Sequence, residues 1–451
     1  MRIGCTVTAT GLELGVDERC FSVCFPREIW QAFPHAEAFA DNYAYLKALH
    51  LPQMLNRDEP LEFETSYPLF RHAILSAMLN NIAFCADVDG VSTAENIRRF
   101  LALELRFRDD ATRVPAGGMT LSERAVLNMS FGKDSLLSYA VAKELGLDPI
   151  LIMSVDNDGP REYAYKLERA ERFCREFNET VHVTENNTGV IHRYEYWGTP
   201  STEWGFGHLI TEYCMFALPF AFAHGARYIL LGNEKSCDDT YVNRDGFKSW
   251  PVYDQSSEWL LELTNIARGL TGSPMTVMSL IEPLYDLAIT RVLHTRYPQV
   301  AKYQMSCFPD ENEYGRNAHW CGHCTKCARN FVFMKANGID PAGVGFGTDM
   351  FQREALDYYA LLRGEKKGIP TVGYDATPCG RDEQLFALYL ALERGARGAI
   401  PDAFASRFLA EAEQRKDELR RRFFSVQSSR TLPAPLRAAA RSLYAEALAA
   451  A

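Results

Sequence analysis

No stretch of this chain reaches about 18 consecutive uncharged apolar residues, so nothing in it reads as a membrane-spanning helix. The opening residues, Met1-Arg2-Ile3-Gly4-Cys5-Thr6, lack an apolar segment of signal-peptide length, and the expected location is cytoplasmic. Positive charge is not in excess: 48 Lys and Arg stand against 58 Asp and Glu, a formal net charge of −10. That balance argues against a broad non-specific nucleic-acid surface, although a local basic groove is compatible with it. Without a secretory signal, the 12 cysteines are expected to stay reduced rather than form a disulfide framework. The rest of the composition, 47% hydrophobic and 24% charged over 451 residues, is that expected of a soluble globular chain. Its length allows roughly two to three domains with a substantial core.

The chain is organised around Val126 to Ser135, an apolar strand that breaks into a small-residue loop and opens a helix. Ala125, Val126 and Leu127 suit a buried parallel strand, and Leu136, Leu137, Tyr139, Ala140 and Val141 to Leu145 give a helix with a broad apolar face, stopped by Gly146. At such a turn the first amides of the helix lack partners and point, with the positive end of the helix dipole, at whatever lies ahead, which makes a phosphate seat. In Ser130-Phe131-Gly132-Lys133-Asp134-Ser135, Gly132 permits a positive φ and close approach, Lys133 adds a cation, and the Ser130 and Ser135 hydroxyls can bond phosphate oxygens. A Walker A loop is excluded, because its first Gly is absent and Asp134 follows the Lys. A helix start capped by serine is the plainer alternative.

Residues 1–120 are expected to form an α+β domain. Short strands fall at Cys5 to Thr8 and Cys20 to Phe25, with turns at Gly11, Gly15 and Asp17. Helical spacing follows over Ala36 to Leu49, Leu69 to Phe84 and, behind a Ser92 cap with Glu95, Thr93 to Leu105. Arg98, Arg99, Arg106 and Arg108 read as solvated helix charges, a grip on a phosphorylated substrate being the alternative. Asp109 to Ser122, with Pro115 and two glycines, reads as a linker.

Residues 121–300 alternate strands with helices: strands at Pro149 to Val155, Thr180 to Val183 and Tyr228 to Gly232, helices at Arg161 to Phe177 and Leu209 to Ala223. Such alternation means a parallel sheet covered on both faces, with ligands bound beyond the carboxyl ends of its strands. Ser130 to Ser135, Asp156 and the Gly232 to Asp239 turn should therefore converge, although Asp156 serves equally well as a strand cap. Two long polar, aromatic loops, Asn186 to His208 and Tyr241 to Trp259, read as lids or substrate walls. Arg244 and Lys248 in the second could meet an anion or be solvated loop charges.

Seven cysteines, Cys5, Cys20, Cys24, Cys85, Cys174, Cys214 and Cys379, are scattered and read as small core residues. Cys307, Cys321, Cys324 and Cys327 are spaced to close a tetrahedron on Zn²⁺, with Gly322 allowing the tight turn and a helix following at Ala328 to Asn337. A redox Cys-x-x-Cys is the alternative, and His319 or His323 could replace one cysteine. This knuckle occupies residues 301–345, and residues 346–451 form a helical C-terminal region with helices at Glu383 to Glu393, Asp402 to Phe424 and Leu436 to Leu448. Ala342 to Gly347 is a glycine loop without the preceding strand a dinucleotide site needs. The charge run from Arg415 to Arg422 reads as a solvated face, its helices serving packing or dimerisation.

The Ser130 to Ser135 segment resembles the pyrophosphate-binding loop of the adenine-nucleotide α-hydrolase superfamily, the PP-loop ATP pyrophosphatases, which split ATP into AMP and pyrophosphate. The resemblance implies a HUP or Rossmann-like parallel sheet, ATP at Ser130, Phe131, Gly132, Lys133, Asp134, Ser135, Asp156 and Gly232, and Mg²⁺ on Asp134. A phosphate loop followed by Cys307 and Cys321-Gly322-His323-Cys324-Thr325-Lys326-Cys327 resembles the 7-cyano-7-deazaguanine synthase branch, which activates a carboxylate and carries structural zinc. The longer layout, with Leu231-Gly232-Asn233-Glu234-Lys235-Ser236-Cys237 after the fourth strand, is similar to the UDP-N-acetylmuramoyl-L-alanyl-L-glutamate epimerases over most of the chain.

That likeness implies epimerisation of the terminal L-Glu of the UDP-linked muramoyl dipeptide to D-Glu in peptidoglycan precursor synthesis. Adenylation would remove the carboxylate charge that keeps the neighbouring Cα–H from ionising, and AMP and pyrophosphate would be released. Lys133 and Asp134 would serve the leaving pyrophosphate, and the acid and base candidates by topology are Cys237, Asp238, Glu234 and His208. Two other functions compete: a carboxylate-activating ligase of the synthase type, and a tRNA-modifying enzyme. The acidic balance and the lack of a recognisable RNA-binding appendage weigh against the latter, and no membrane partner is expected.

Overall fold

Alternation of inward and outward residues builds the first three strands: β1 (Arg2–Val7) buries Ile3, β2 (Gly11–Val16) buries Leu12, Leu14 and Val16, and β3 (Arg19–Cys24) buries Phe21 and Val23. In the computed structural model, which describes residues 1–156, 160–205, 207–305, 320–363 and 373–449, β2 lies between β1 and β3 and pairs antiparallel with each. Helices α1 (Arg27–Gln31), α2 (Ala36–Ala48) and α3 (Leu51–Leu55) follow, then β4 (Leu61–Ser66), α4 (Arg71–Asp89), α5 (Thr93–Leu101) and β5 (Leu105–Asp109). β4 and β5 were not anticipated, and they extend the sheet beside β1 in parallel. Helix α5 stops at Leu101, so Arg106 and Arg108 lie on a strand rather than a helix, exposed and ion-paired to Glu62, Glu104 and Asp109. The Ser92 cap behaves as read, its hydroxyl accepting the Glu95 amide at 3.4 Å.

The central region supplies β6 (Ser122–Asn128), α6 (Lys133–Glu144), β7 (Asp148–Asp156), α7 (Pro160–Phe177), β8 (Val181–Asn186), α8 (Tyr194–Trp197), α9 (Leu209–His224) and β9 (Ala226–Leu230). A two-residue hairpin of β10 (Tyr241–Val242) and β11 (Lys248–Ser249) precedes α10 (Ser257–Thr271) and β12 (Thr276–Met278), a fifth parallel strand that sequence reasoning missed. Val126 faces one side of the sheet and Ala125 and Leu127 the other, each inside a separate apolar core, which is why these strands are apolar without alternation. α9 and α10 cover the first face, and α6, α7 and α11 (Asp286–Arg296) the second.

β8 pairs antiparallel with β3 through Glu185 and Cys24 and through Asn186 and Val23. The two regions therefore share one ten-stranded sheet, ordered β12-β9-β6-β7-β8-β3-β2-β1-β4-β5 and mostly parallel. Cys20 and Cys24 are exposed rather than core residues, because the inward positions of β3 belong to Phe21 and Val23.

After α12 (Pro298–Ala301), α13 (Thr325–Ala336) packs with α14 (Pro378–Glu393) and α15 (Ala399–Phe423) around a third apolar core. α16 (Ala434–Ala449) closes over α11 through Leu443 and Tyr444. The charge run on α15 is not simply solvated: Arg415 makes a two-pronged pair with Asp382 at 2.7 and 2.8 Å, and Arg422 reaches Asp239 at 2.9 Å. Among the described residues no helix is long and apolar enough to cross a membrane.

Candidate functional site

Within the sheet, the segment β8-β7-β6-β9-β12 runs outward in both directions from β6: the chain goes first to β7 and β8 on one side, then to β9 and β12 on the other. The loops leaving β6 and β9 lie at that switch, the place in an open α/β sheet where ligands bind beyond the carboxyl ends of the strands.

The loop after β6 is built as a tight cup. Met129 donates its amide to the Ile152 carbonyl at 2.8 Å, and Met305 donates to the Phe131 carbonyl at 2.8 Å. The left-handed residue is Phe131, with φ 59°, whereas Gly132 has φ −69° and serves as the N-cap of α6. The Phe131 ring is fully buried against Phe173, and that apolar anchor holds a conformation uncommon for a bulky side chain. The Ser130 and Ser135 hydroxyls lie 3.2 Å apart, and Ser130 Oγ accepts the Gly132 amide at 3.3 Å. Gly132, at the cap position of α6, has no side chain to bond the first-turn amides, which carry the positive end of the helix dipole at the switch point.

Lys133 does not reach forward as a free cation. Its ammonium is bonded to both oxygens of Asp134, at 2.8 and 2.9 Å, pairs with Asp286, and lies 3.6 Å from Glu234 Oε2. One carboxylate oxygen each from Asp134, Glu234 and Asp286 lies within 4.8 Å of the others, an arrangement able to hold a metal ion. The three side chains are graded in exposure, 33% for Asp134, 12% for Glu234 and 0% for Asp286, so the cluster opens to solvent through Asp134.

Burial opposes ionisation of Asp286, but Lys133 and Arg329 outweigh it and hold its carboxyl below the usual range. Burial, with Asp286 alongside, pushes Glu234 well above it. Asp286 entered no sequence reading, because an Asp at a helix start reads as a cap; what distinguishes it is complete burial beside two cations.

Gly232, at the end of β9, lies directly over α6. A Cβ built there would come within 2.9 Å of the Asp134 Cβ, so the glycine is what lets the turn after β9 close on the loop after β6. Of the remaining candidates, Cys237 is buried and donates its thiol to Gln255 Oε1 at 3.5 Å. Burial, then Glu234, raises its pKa well above the ordinary thiol value, so it stays protonated.

Asp238 accepts the Ser257 amide at 2.8 Å at the start of α10 and pairs with Lys235 at 3.5 Å. His208 precedes α9, its Nδ1 3.2 Å from Thr211 Oγ1 and its ring against Trp259; burial and His192 push its pKa down to about 3, leaving a neutral imidazole. The polar contacts of these two residues thus serve helix starts. The backbone of Asp156 ends β7, and its side chain lies outside the described residues.

The long loops are anchored to the N-terminal helices. Arg244 bonds the carbonyls of Ala86 and Val91 at the end of α4, and the Lys248 ammonium lies 4.1 Å from the Trp250 ring centroid.

Cys321, Cys324 and Cys327 gather their sulfurs within 4.8 Å of one another at the start of α13. Gly322 takes φ 72°, the tight turn expected of it, and Cys324 caps the helix by accepting the Cys327 amide at 3.4 Å. The Cys321 and Cys327 sulfurs are 3.7 Å apart. Tetrahedral thiolate ligands at ~2.3 Å from zinc are separated by about 3.8 Å, so these three fit one metal ion. Cys307 and His319 lie outside the described residues. No described cysteine forms a disulfide. No protein-family model matches the chain, and no curated protein matches it.

Proposed function

We propose that the chain is an ATP-dependent carboxylate-activating enzyme whose substrate is UDP-N-acetylmuramoyl-L-Ala-L-Glu and whose product carries D-Glu. The observation that carries this reading is the assembly of Asp134, Glu234 and Asp286 around Lys133, at a helix start capped only by glycine and placed at the switch point of a parallel sheet. A helix start binds phosphate, and three carboxylates beside it suit the divalent ion that accompanies a nucleotide triphosphate. The layout of Ser130 to Ser135, Gly232 to Cys237 and Cys321 to Cys327 in the sequence supports the epimerase over other carboxylate activators.

In this reading the α6 amides and the Ser130 and Ser135 hydroxyls receive the pyrophosphate end of ATP, and Gly232 admits the nucleotide-facing turn. Asp134, Glu234 and Asp286 would hold Mg²⁺, which would offset charge building on the leaving pyrophosphate. Lys133, held by the same carboxylates, keeps their charge compensated. The Glu α-carboxylate attacks the ATP α-phosphorus; the bond to the pyrophosphate oxygen breaks, and an acyl-adenylate and pyrophosphate result. With the carboxylate charge gone, a base removes the Cα proton, a proton returns from the opposite face, and water releases AMP and the D-Glu carboxylate.

Cys237, kept as a thiol next to Glu234, is the proposed proton donor for one face. Cys321, Cys324 and Cys327 would hold zinc as a structural ion, with Cys307 proposed as the fourth ligand. Asp134→Asn is the direct test of the site: AMP release should vanish while circular dichroism and the thermal transition stay close to those of the parent. Near-normal AMP release from this variant would remove the loop from the mechanism.

A further inference from the structure

The cysteine cluster and the carboxylate cluster are joined by one turn of helix. α13 starts at the Cys324 cap, and its second turn carries Arg329, a buried guanidinium whose Nη1 lies 3.6 Å from Asp286 Oδ2 and 3.6 Å from Asp375 Oδ1. Asp286 pairs in turn with Lys133, the residue that opens α6. From the sulfurs to the phosphate loop there are thus three links: the first turns of α13, the Arg329 to Asp286 pair, and the Asp286 to Lys133 pair. A second tie runs alongside, since Asn330 accepts from Gln304 Nε2 at 3.1 Å and the next residue, Met305, bonds the Phe131 carbonyl at 2.8 Å.

Asp286 and Asp375 are buried, and carboxylates so placed stay ionised only beside a cation with a fixed position. The Tyr374 ring, 5.3 Å from the guanidinium carbon, and the cap at Cys324 give Arg329 that position.

We propose that Arg329 is a positioning residue, through which the order imposed by a metal on Cys321, Cys324 and Cys327 sets the Asp286 carboxylate and, beyond it, Lys133 and the start of α6. The inference rests on the proposed function only for the purpose of that site. When the cysteines hold their metal, α13 begins as a fixed turn and Arg329 points at Asp286. When they do not, three sulfurs lose their common partner, the turn frays, and Asp286 loses Arg329 as its second cation, keeping Lys133.

The test is amide hydrogen exchange on the full chain without nucleotide, read by mass spectrometry over residues 131–136, 286–290 and 321–336, with bound metal measured on each sample. Arg329→Gln should keep its metal and the protection of 321–327, yet exchange about tenfold or more faster over 131–136 and 286–290. Arg329→Lys should restore part of that protection. Stripping the metal from the parent with a chelator should speed the same two segments to a similar degree, and stripping Arg329→Gln should add nothing further there.

Faster exchange confined to 321–336 after stripping, or effects of stripping and substitution that add, would overturn the proposal. So would parent protein purified without metal that is fully protected over 131–136. If Arg329→Gln does not fold, the stripped parent and Arg329→Lys carry the test. The measurement uses no ATP, so failure of the adenylation reading, seen as absence of AMP, is distinguishable from failure of this one.

Discussion

Gly232 and Asp134 are packed so closely that a side chain on the former has no room: its Cβ would sit 2.9 Å from the Asp134 Cβ. Nothing nearby is a flexible tip that could swing aside, because the obstructing atom is the first of its side chain. Gly232→Ala should therefore push Asp134 away from Glu234 and Asp286 while leaving the sheet intact. A displacement of about 1 Å at reacting groups costs on the order of a hundredfold in rate. AMP formation should fall by about that factor, with the thermal transition shifted only slightly. Unchanged AMP formation would mean that the position of Asp134 is unimportant.

Asp286 is fully buried between Lys133 and Arg329. Asp286→Asn removes the charge that both cations need and leaves them buried without it. Breaking a buried pair in this way costs on the order of 3–5 kcal/mol. Urea unfolding should show a loss of that size, whereas a change below about 1 kcal/mol would mean that Asp134 and Asp375, the other native partners of Lys133 and Arg329, suffice to compensate them.

The cysteine cluster should carry one equivalent of zinc in protein purified without chelator. Cys324→Ser removes a sulfur but leaves a hydroxyl that can still accept the Cys327 amide at the start of α13, so metal content should drop well below one equivalent and the unfolding midpoint should fall with the lost metal. Full metal content in this variant would exclude Cys324 as a ligand.

Asp254 gives a pH signature of its own. It is buried, with Oδ2 accepting the Ile210 amide at 2.9 Å, and burial pushes its pKa up from 3.8 to about 8. The folded chain thus holds this proton more tightly than the unfolded chain. Its contribution to stability is full below pH ~4, declines as pH rises through about 8 and is flat beyond. Asp254→Asn keeps an oxygen for Ile210 and removes the titration, so the stability difference between variant and parent should grow in favour of the variant between those limits. A difference independent of pH would contradict the raised pKa.

Much of this was legible in the sequence, and the reasons are local. The β6 to α6 turn announces itself through an apolar run, small residues and an apolar helix face, and the Cys321 to Cys327 turn through spacing and Gly322. Even there, the left-handed position went to Phe131 rather than Gly132, because a buried ring can pin a conformation that composition assigns to glycine. β12 escaped notice because three residues carry too little periodicity, and β5 because Arg106 and Arg108 continue the polar face of α5 in sequence.

Asp286, Arg329 and Asp375 were illegible for a different reason. Each is an ordinary polar residue in its own helix or turn, and their significance exists only once α11, α13 and the segment before α14 meet. Arg422 is the same case: a member of a charge run in sequence, a partner of Asp239 in the fold.

Cys237→Ala separates activation from inversion. If Cys237 supplies a proton to one face of Cα, the variant should still release AMP with the dipeptide substrate, while its yield of D-Glu falls by about a hundredfold or more. Parallel losses of both would place Cys237 in support of the nucleotide site instead.

The most direct measurement is incubation of the protein with ATP, Mg²⁺ and UDP-N-acetylmuramoyl-L-Ala-L-Glu in D₂O, followed by assay of AMP, of glutamate chirality and of deuterium at Cα. The account predicts AMP and pyrophosphate in equal amounts, with D-Glu that carries deuterium at Cα. No AMP, or AMP accompanied only by undeuterated L-Glu, would contradict it.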